Sequence, residues 1–418
     1  MRVRHLQSHL ADQGLILTAK LENLSGVRVV IDAVYWLRSI QALKDPFADA
    51  LGGIPPGIFG FVDRELESFR LHNISPVFVF QGMGTFPQHS MFIFRVDHQM
   101  ELAWTLLAQG QRTEAQKCFA VSTSRINSDL LYFIFHHLRH RGCEVLQAPY
   151  FAGAQLAHLV EQDVVQTVFG PHGLLLYGVP RVVINIDFAQ GTFDWIVLDS
   201  VLSKWQMNKE QFIEACMLAG TEYCLSYPYL NLGHYQPQST ARFNFDAAVT
   251  IIKQAPLIEW MQSFPTEEMM NDHVEGYCIC KVLVQSSPVL HLGENTVRPL
   301  GSSLPGTGMQ GSIAPAGGPV QVPYDFAAIM GEQLPAALYY LILAGIISYK
   351  LPQALAKGEW VNKSQPVVDT KELWDLITDV QEYRQLALGL IARHLHPSFA
   401  RKSIVCKALG ELQVGKQR

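Results

Sequence analysis

The sequence predicts an α/β fold, a parallel sheet flanked by helices, followed by a mainly helical C-terminal region. Three observations predict it. Apolar runs rich in β-branched residues alternate with helical patterns through the first part of the chain. Two of those runs, Val27–Asp32 (interrupted only by Arg28) and Pro76–Phe80, are near-continuous rather than alternating, as strands covered on both faces require. From Tyr324 onward the periodicity turns helical.

Each element follows in order. Val27–Asp32 is a strand that ends in an acid, and the helix-like Pro56–Asn73 leads into the second strand. Glu144–Gln147 is a third strand, with a helix near Ala152–Gln162 behind it; Gln166–Phe169 and Arg181–Ile186 are two more. Asn208 opens a helix that runs to Gly220, with Asn208 as N-cap and Gln211 at the capping-box position. Between Ser286 and Pro323 the composition shifts to Gly, Pro and Ser with little charge, which reads as a linker or loop. Beyond it, Leu373, Leu376, Ile377, Val380, Leu386, Leu390 and Ile391 recur at close to helical spacing. The expected layout is one domain over residues 1–285, a linker over 286–323 and a helical region over 324–418.

With 418 residues, 49% of them hydrophobic, the chain can bury a large core. Its net charge of −5 argues against a surface built mainly to track phosphates, because such surfaces draw affinity from Lys and Arg displacing counterions. Seven scattered cysteines, with Cys278-x-Cys280 at the wrong spacing for a zinc pair, read as free thiols in a reducing compartment. No secretory signal is visible, and the apolar run Leu334–Ile347 is too short to span a bilayer, so the expectation is no membrane and a cytoplasmic protein. His136-His137-x-x-His140 lacks a matching carboxylate and reads as a solvated helix face.

Three stretches carry the functional signal: VRVVIDAVYWL (Val27–Leu37), ISPVFVFQG (Ile74–Gly82) and NKEQFIEACMLAGTEYC (Asn208–Cys224). In order and spacing they resemble the flap-endonuclease (XPG) branch of the PIN-like nucleases. That resemblance implies acids at the carboxyl ends of the strands, holding two metal ions about 3.5–4 Å apart for phosphodiester hydrolysis. Here Asp32 matches the first acid, and Gln81 in Val79-Phe80-Gln81-Gly82 replaces the second. Phe151 and Gly153, after Ala148-Pro149, replace the third and fourth. Pro171 and Gly173, aligned through Tyr177-Gly178-Val179-Pro180, replace the next two, and Glu222 in Gly220-Thr221-Glu222-Tyr223-Cys224 retains the last charge on a longer arm.

Other parts differ as well. Arg2 stands where the resemblance implies Gly, Met83–Phe94 holds no Lys or Arg, and Tyr227–Gln238 keeps only Gly233 of a Gly-rich hairpin. The expectation is therefore no catalytic residues and no required cofactor. Asp32 and Glu222 remain as candidates for a weak residual magnesium site, or else Asp32 caps a turn and Glu222 is a surface acid. Asp187, Asp194 and Asp199 read as loop and helix-start acids.

Leu51-Gly52-Gly53-Ile54-Pro55, LESFRLHNISPVFVFQG and HLQSHLADQGL resemble, over residues 1–285, the Mkt-type (maintenance of killer toxin) post-transcriptional regulators. This implies a pseudo-nuclease scaffold on messenger-RNA–protein complexes that affects mRNA stability or translation. Its implied partners are an ataxin-type, poly(A)-binding-protein-binding protein and other mRNA-binding proteins, with RNA contacted indirectly. The vacated cleft is expected to receive short peptide segments. The alternative is an active Mg- or Mn-dependent structure-specific endonuclease with relocated ligands such as Asp187 or Asp199. A third reading, RNA binding without cleavage, predicts steep salt dependence.

Overall fold

A computed structural model gives the architecture. It describes residues 1–418 except 51–53, 56, 85–90, 124–125, 127, 228–229, 231–242, 262–263, 265, 301–309, 314–321, 326–328, 332–333, 353–358, 363–370, 372–384, 387–388, 398–404 and 409–418.

Seven strands make one sheet: β1 (Ile16–Lys20), β2 (Arg28–Asp32), β3 (Ser75–Phe80), β4 (Glu144–Gln147), β5 (Thr167–Phe169), β6 (Arg181–Asp187) and β7 (Thr192–Val197). Their order is β1-β7-β6-β5-β2-β3-β4. The five strands from β6 to β4 run parallel, and β7 and β1 close the other edge with antiparallel pairings. Val29, Val30 and Ile31 of β2 and Phe78 to Phe80 of β3 are fully covered, which is why both read as near-continuous apolar runs. The β1 and β7 strands escaped the sequence reading. Thr192–Val197 alternates partly exposed and buried positions, a weaker pattern than a doubly covered strand.

Helices cover both faces. Ile58–Leu71 buries Ile58, Val62 and Phe69, and Ser128–His140 lies beside it. Ala152–Glu161 is buried along Ala152 to Leu159, its small Ala and Gly residues letting it sit close under the sheet. Lys209–Ala219 starts with the expected capping box, Asn208 Oδ1 accepting from Gln211 N at 2.9 Å and Gln211 Oε1 from Asn208 N at 3.1 Å. Among the described residues no helix is long and apolar enough to cross a membrane.

The stretch 286–323 departs from the linker reading. Its first part folds into a hairpin of β8 (Pro288–His291) and β9 (Thr296–Pro299), and β10 (Gln310–Ile313) pairs with β11 (Val322–Asp325). The hairpin docks on the Ala152 helix because the fully buried Gln155 acts as a surrogate strand edge. Its Nε2 donates to Leu290 O at 3.1 Å and its Oε1 accepts from Leu290 N at 2.7 Å. Asn295, at φ 53°, supplies the left-handed turn residue.

The C-terminal part carries the helix Ala336–Leu343 inside the predicted apolar run, and a parallel pair, β12 (Glu359–Asn362) with β13 (Val405–Ala408), that the helical reading did not contain. Of the periodic positions, Leu373, Leu376, Ile377 and Val380 lie outside the described residues. Leu338, Tyr339 and Ile342 share one buried cluster with Leu290 and Val297 of the hairpin, Val282 and Leu283 of the helix Glu267–Gln285, and Met83 and Tyr150 at the rim of the main sheet.

Candidate functional site

Strand β2 delivers Asp32 to the carboxyl edge of the sheet, where ligands gather in open α/β folds. There the half-buried side chain caps the short helix Ala33–Trp36, accepting from Tyr35 N at 3.0 Å. Burial pushes its carboxyl above the usual range, against the pull of the Tyr35 and Val34 amides and of Arg38. The Arg38 guanidinium lies over the Tyr35 ring, 3.4 Å from its centre, and Tyr35 Oη donates to Ile184 O at 2.8 Å.

The positions around Asp32 are filled by the chain itself. Gln81 uses both ends of its amide: Oε1 accepts from Ala152 N at 3.0 Å, holding the start of the Ala152 helix, and Nε2 donates to Tyr150 O at 3.3 Å. Gly82 follows because a Cβ there would lie 2.0 Å from Ala148 O. Phe151 is the N-cap residue of the same helix, and its ring meets Tyr223 edge-on at 6.2 Å between centres. Gly153 faces the phenol of Tyr177, whose Cε2 would stand 3.0 Å from an added Cβ.

Pro171 precedes the 3₁₀ turn His172–Tyr177. A Cβ on Gly173 would sit 1.9 Å from the carbonyl oxygen of Met1, so no side chain fits while the N-terminal segment lies there. That segment is tied down by Arg4 N donating to Gly220 O at 3.0 Å and by the buried His172, whose Nε2 lies 3.1 Å from Val3 O. Burial holds the His172 imidazole neutral, its pKa lowered to about 4, with the nearby chain-start amine and Arg2 adding to the effect.

Glu222 stands at the tip of a tight turn: Thr221 N donates to Cys224 O at 2.8 Å, and Thr221 Oγ1 accepts from Tyr223 N and Cys224 N at 3.2 and 3.0 Å. Both retained acids act on the buried Tyr177. Burial raises its phenol far above the usual value, and the charges of Glu222 and Asp32 push it the same way.

Sequence reasoning named seven of these positions by alignment but missed Tyr177, Tyr223, His172 and Met1, the groups that fill the space. Tyr177 served only as an anchor for the alignment. These groups narrow the space at Gly153 and Gly173.

The other acids do not converge on Asp32. Asp187 Oδ1 accepts from Ala189 N and Gln190 N, both at 2.9 Å, and shapes the turn after β6. Asp194 is a mid-strand residue of β7 rather than a loop acid, bonded to Thr18 Oγ1 at 2.7 Å and Asn185 Nδ2 at 3.2 Å. Asp199 is exposed in the first turn of the helix Leu198–Trp205. Because Val197 pairs with Arg181 at the start of β6, Asp199 sits at the opposite edge of the sheet.

The histidine helix is not simply a solvated face. His137 Nε2 lies 2.8 Å from Asp63 Oδ1, which Arg141 also engages, so the cluster clamps Ser128–His140 to Ile58–Leu71. Of the other nuclease-like features, most of Tyr227–Gln238, including Gly233, and residues 51–53 and 85–90 lie outside the described residues.

Comparison with known proteins fits this frame. The XPG I-region family matches residues 142–222, the span holding Phe151, Gly153, Pro171, Gly173 and Glu222. The N-terminal MKT1 family, described as a temperature-dependent protein affecting M2 dsRNA replication, matches residues 323–408. Flap endonuclease 1 of Pyrococcus horikoshii is 28% identical over 49% of this chain and 65% of its own. The catalytic core of Rad2 with DNA substrate superposes with a TM-score of 0.44 at 16% identity, over 68% of this chain and 85% of that one.

In sequence the chain thus resembles XPG-like proteins. Within that class it resembles the MKT1 type. It is 26% identical to the post-transcriptional regulator MKT1 of Cryptococcus neoformans over 97% of its length, and 23% identical to that of Saccharomyces cerevisiae over 53%. It spans 53% of the first relative's length and 32% of the second's.

Proposed function

We propose that this chain is a non-catalytic, XPG-derived scaffold that acts in post-transcriptional regulation, the role named for its MKT1 relatives. The observation that carries the reading is the filling of the site. The Gln81 amide caps a helix, Tyr177 stands against Gly153, and the Met1 carbonyl stands against Gly173. Each of these contacts leaves less room for an acid and its ion.

The donors present fit a two-metal centre poorly. Magnesium takes oxygen ligands in near-octahedral geometry, and two divalent ions need several carboxylates. Asp32 has its carboxyl pushed toward the neutral form, and the buried Tyr177 phenol lies near both Asp32 and Glu222. Weak binding of one magnesium by Asp32 and Glu222 is the residual possibility, and no catalytic step is assigned to it.

In this reading the protein works in the cytoplasm through protein partners, an ataxin-type, poly(A)-binding-protein-binding protein among them, and meets RNA through those partners. It affects mRNA stability or translation. Affinity capture of the tagged chain from cell extract, with and without RNase, tests it: mRNA-associated proteins retained after RNase support the scaffold. Their complete absence, or their loss with RNase, sinks it.

A further inference from the structure

Three residues that flank the candidate site, each next to or near a replaced or retained acid position, pack into or against one apolar cluster beside it. Met83 follows Gln81-Gly82, Tyr150 precedes Phe151, and Tyr223 follows Glu222. Met83 and Tyr150 are 4% and 3% exposed. They pack with Leu338, Tyr339 and Ile342 of the helix Ala336–Leu343, and Tyr223 and Phe151 border the same cluster. Tyr150 Oη lies 3.4 Å from Tyr339 Oη, and their ring centres are 6.4 Å apart. Tyr339 Oη also accepts from Leu334 N at 3.3 Å, which fixes the entry of the helix.

A second tether holds the end of the same helix. Arg139 donates to Ala344 O at 2.7 Å, and Gly345, at φ +67°, lies so close that a Cβ would meet the Phe135 ring at 2.5 Å. The helix is therefore seated at both ends, with its apolar face over the carboxyl edge of β3 and β4.

We propose that the segment around Ala336–Leu343 is a built-in plug of the degenerate cleft, so that the chain's own C-terminal part occupies the rim where an extended ligand would otherwise enter. The plug rests on the reading of the site as degenerate, and it adds a consequence. Partners bind elsewhere on the surface, and the rim at Met83 and Tyr150 is uncovered only when this helix lifts. Burial of an aromatic pair, Leu338, Ile342 and Met83 is what holds it, since that contact is lost together when the helix leaves.

Hydroxyl-radical footprinting of the full chain tests the plug, because its contact residues are sulfur- and ring-bearing reporters. In the unsubstituted protein Met83 and Tyr150 are expected to be protected relative to Tyr340, which is 62% exposed on the same helix. Ile342→Asp places a charge in the contact and is expected to raise modification of Met83 and Tyr150 about tenfold or more, with Phe119 and Trp205 unchanged.

Reactivity of Met83 and Tyr150 matching that of Tyr340 in the unsubstituted protein overturns the plug, and needs no variant to be folded. So does a folded Ile342→Asp with no change at either residue. If Phe119 and Trp205 also become reactive, the comparison within the unsubstituted protein decides. A failed partner capture with Met83 and Tyr150 protected would sink the scaffold reading and leave the plug standing.

Discussion

Two buried polar regions of this molecule handle charge in opposite ways. Between the helices Lys209–Ala219 and Glu267–Gln285, Glu214 and Lys281 are fully covered and face each other as an ion pair. Lys281 Nζ sits 2.7 Å from Glu210 and 3.7 Å from Glu214, and Glu214 also accepts from Tyr277 Oη and Leu257 N, both at 3.1 Å. At the carboxyl edge of the sheet, neutral groups stand at Gln81, Phe151, Gly153, Pro171 and Gly173, and Asp32 is held toward its protonated form. A buried carboxylate persists where a cation and donors satisfy it. Where the compensating charge is a metal pair, loss of the metal's role leaves the acids as uncompensated burial cost, and neutral hydrogen-bonding or space-filling groups replace them.

The largest effect expected from this contrast is at the paired cluster. Lys281→Met leaves Glu214 and Glu210 without their cation and should cost about 3–5 kcal/mol in urea unfolding. Less than about 1 kcal/mol would mean that the pairing is dispensable and the contrast is empty.

Restoring an acid at the other region should cost less. Gly173→Asp must displace the Met1 carbonyl, 1.9 Å from the new Cβ, and is expected to destabilise by about 1–3 kcal/mol without producing cleavage. An unchanged melting temperature would show that the N-terminal segment does not hold that space. Gln81→Asp keeps an acceptor for Ala152 N but removes the donor to Tyr150 O, for an expected loss of about 1–2 kcal/mol by the same denaturation measurement.

The smallest effects are in pH dependence, and they have opposite signs. Asp32 has its folded pKa raised above the ordinary 3.8, so its contribution is fully present below that value and is lost as pH rises through the folded pKa. Asp32→Asn, which preserves the cap, should therefore raise the melting temperature at pH 7, with the gain fading in acid. His172 has its pKa lowered from 6.5 to about 4, so its contribution is present above 6.5 and is lost as pH falls towards 4. His172→Gln should flatten the stability profile across that window; a slope unchanged there would remove His172 from the account.

The frame was legible in sequence where local chemistry and burial agree. The doubly covered strands Val27–Asp32 and Pro76–Phe80 announced themselves, and Asn208 with Gln211 wrote a capping box that the structure forms. The antiparallel edge was not, because β1 and β7 are only partly buried. The hairpin Pro288–Pro299 was hidden in a Gly- and Pro-rich window, and its docking depends on Gln155, far away in the chain. At the site, alignment located the replaced positions, but the groups that fill them come from elsewhere. Nothing local to Gly173 points to Met1, and nothing local to Gly153 says that Tyr177 turns inward.

The most direct measurement is cleavage of a labelled flap DNA and a hairpin RNA in Mg²⁺ or Mn²⁺, with Asp32→Ala alongside. The account predicts no cutting by either folded protein. Metal-dependent cutting that Asp32→Ala abolishes would contradict it and make the chain an active nuclease.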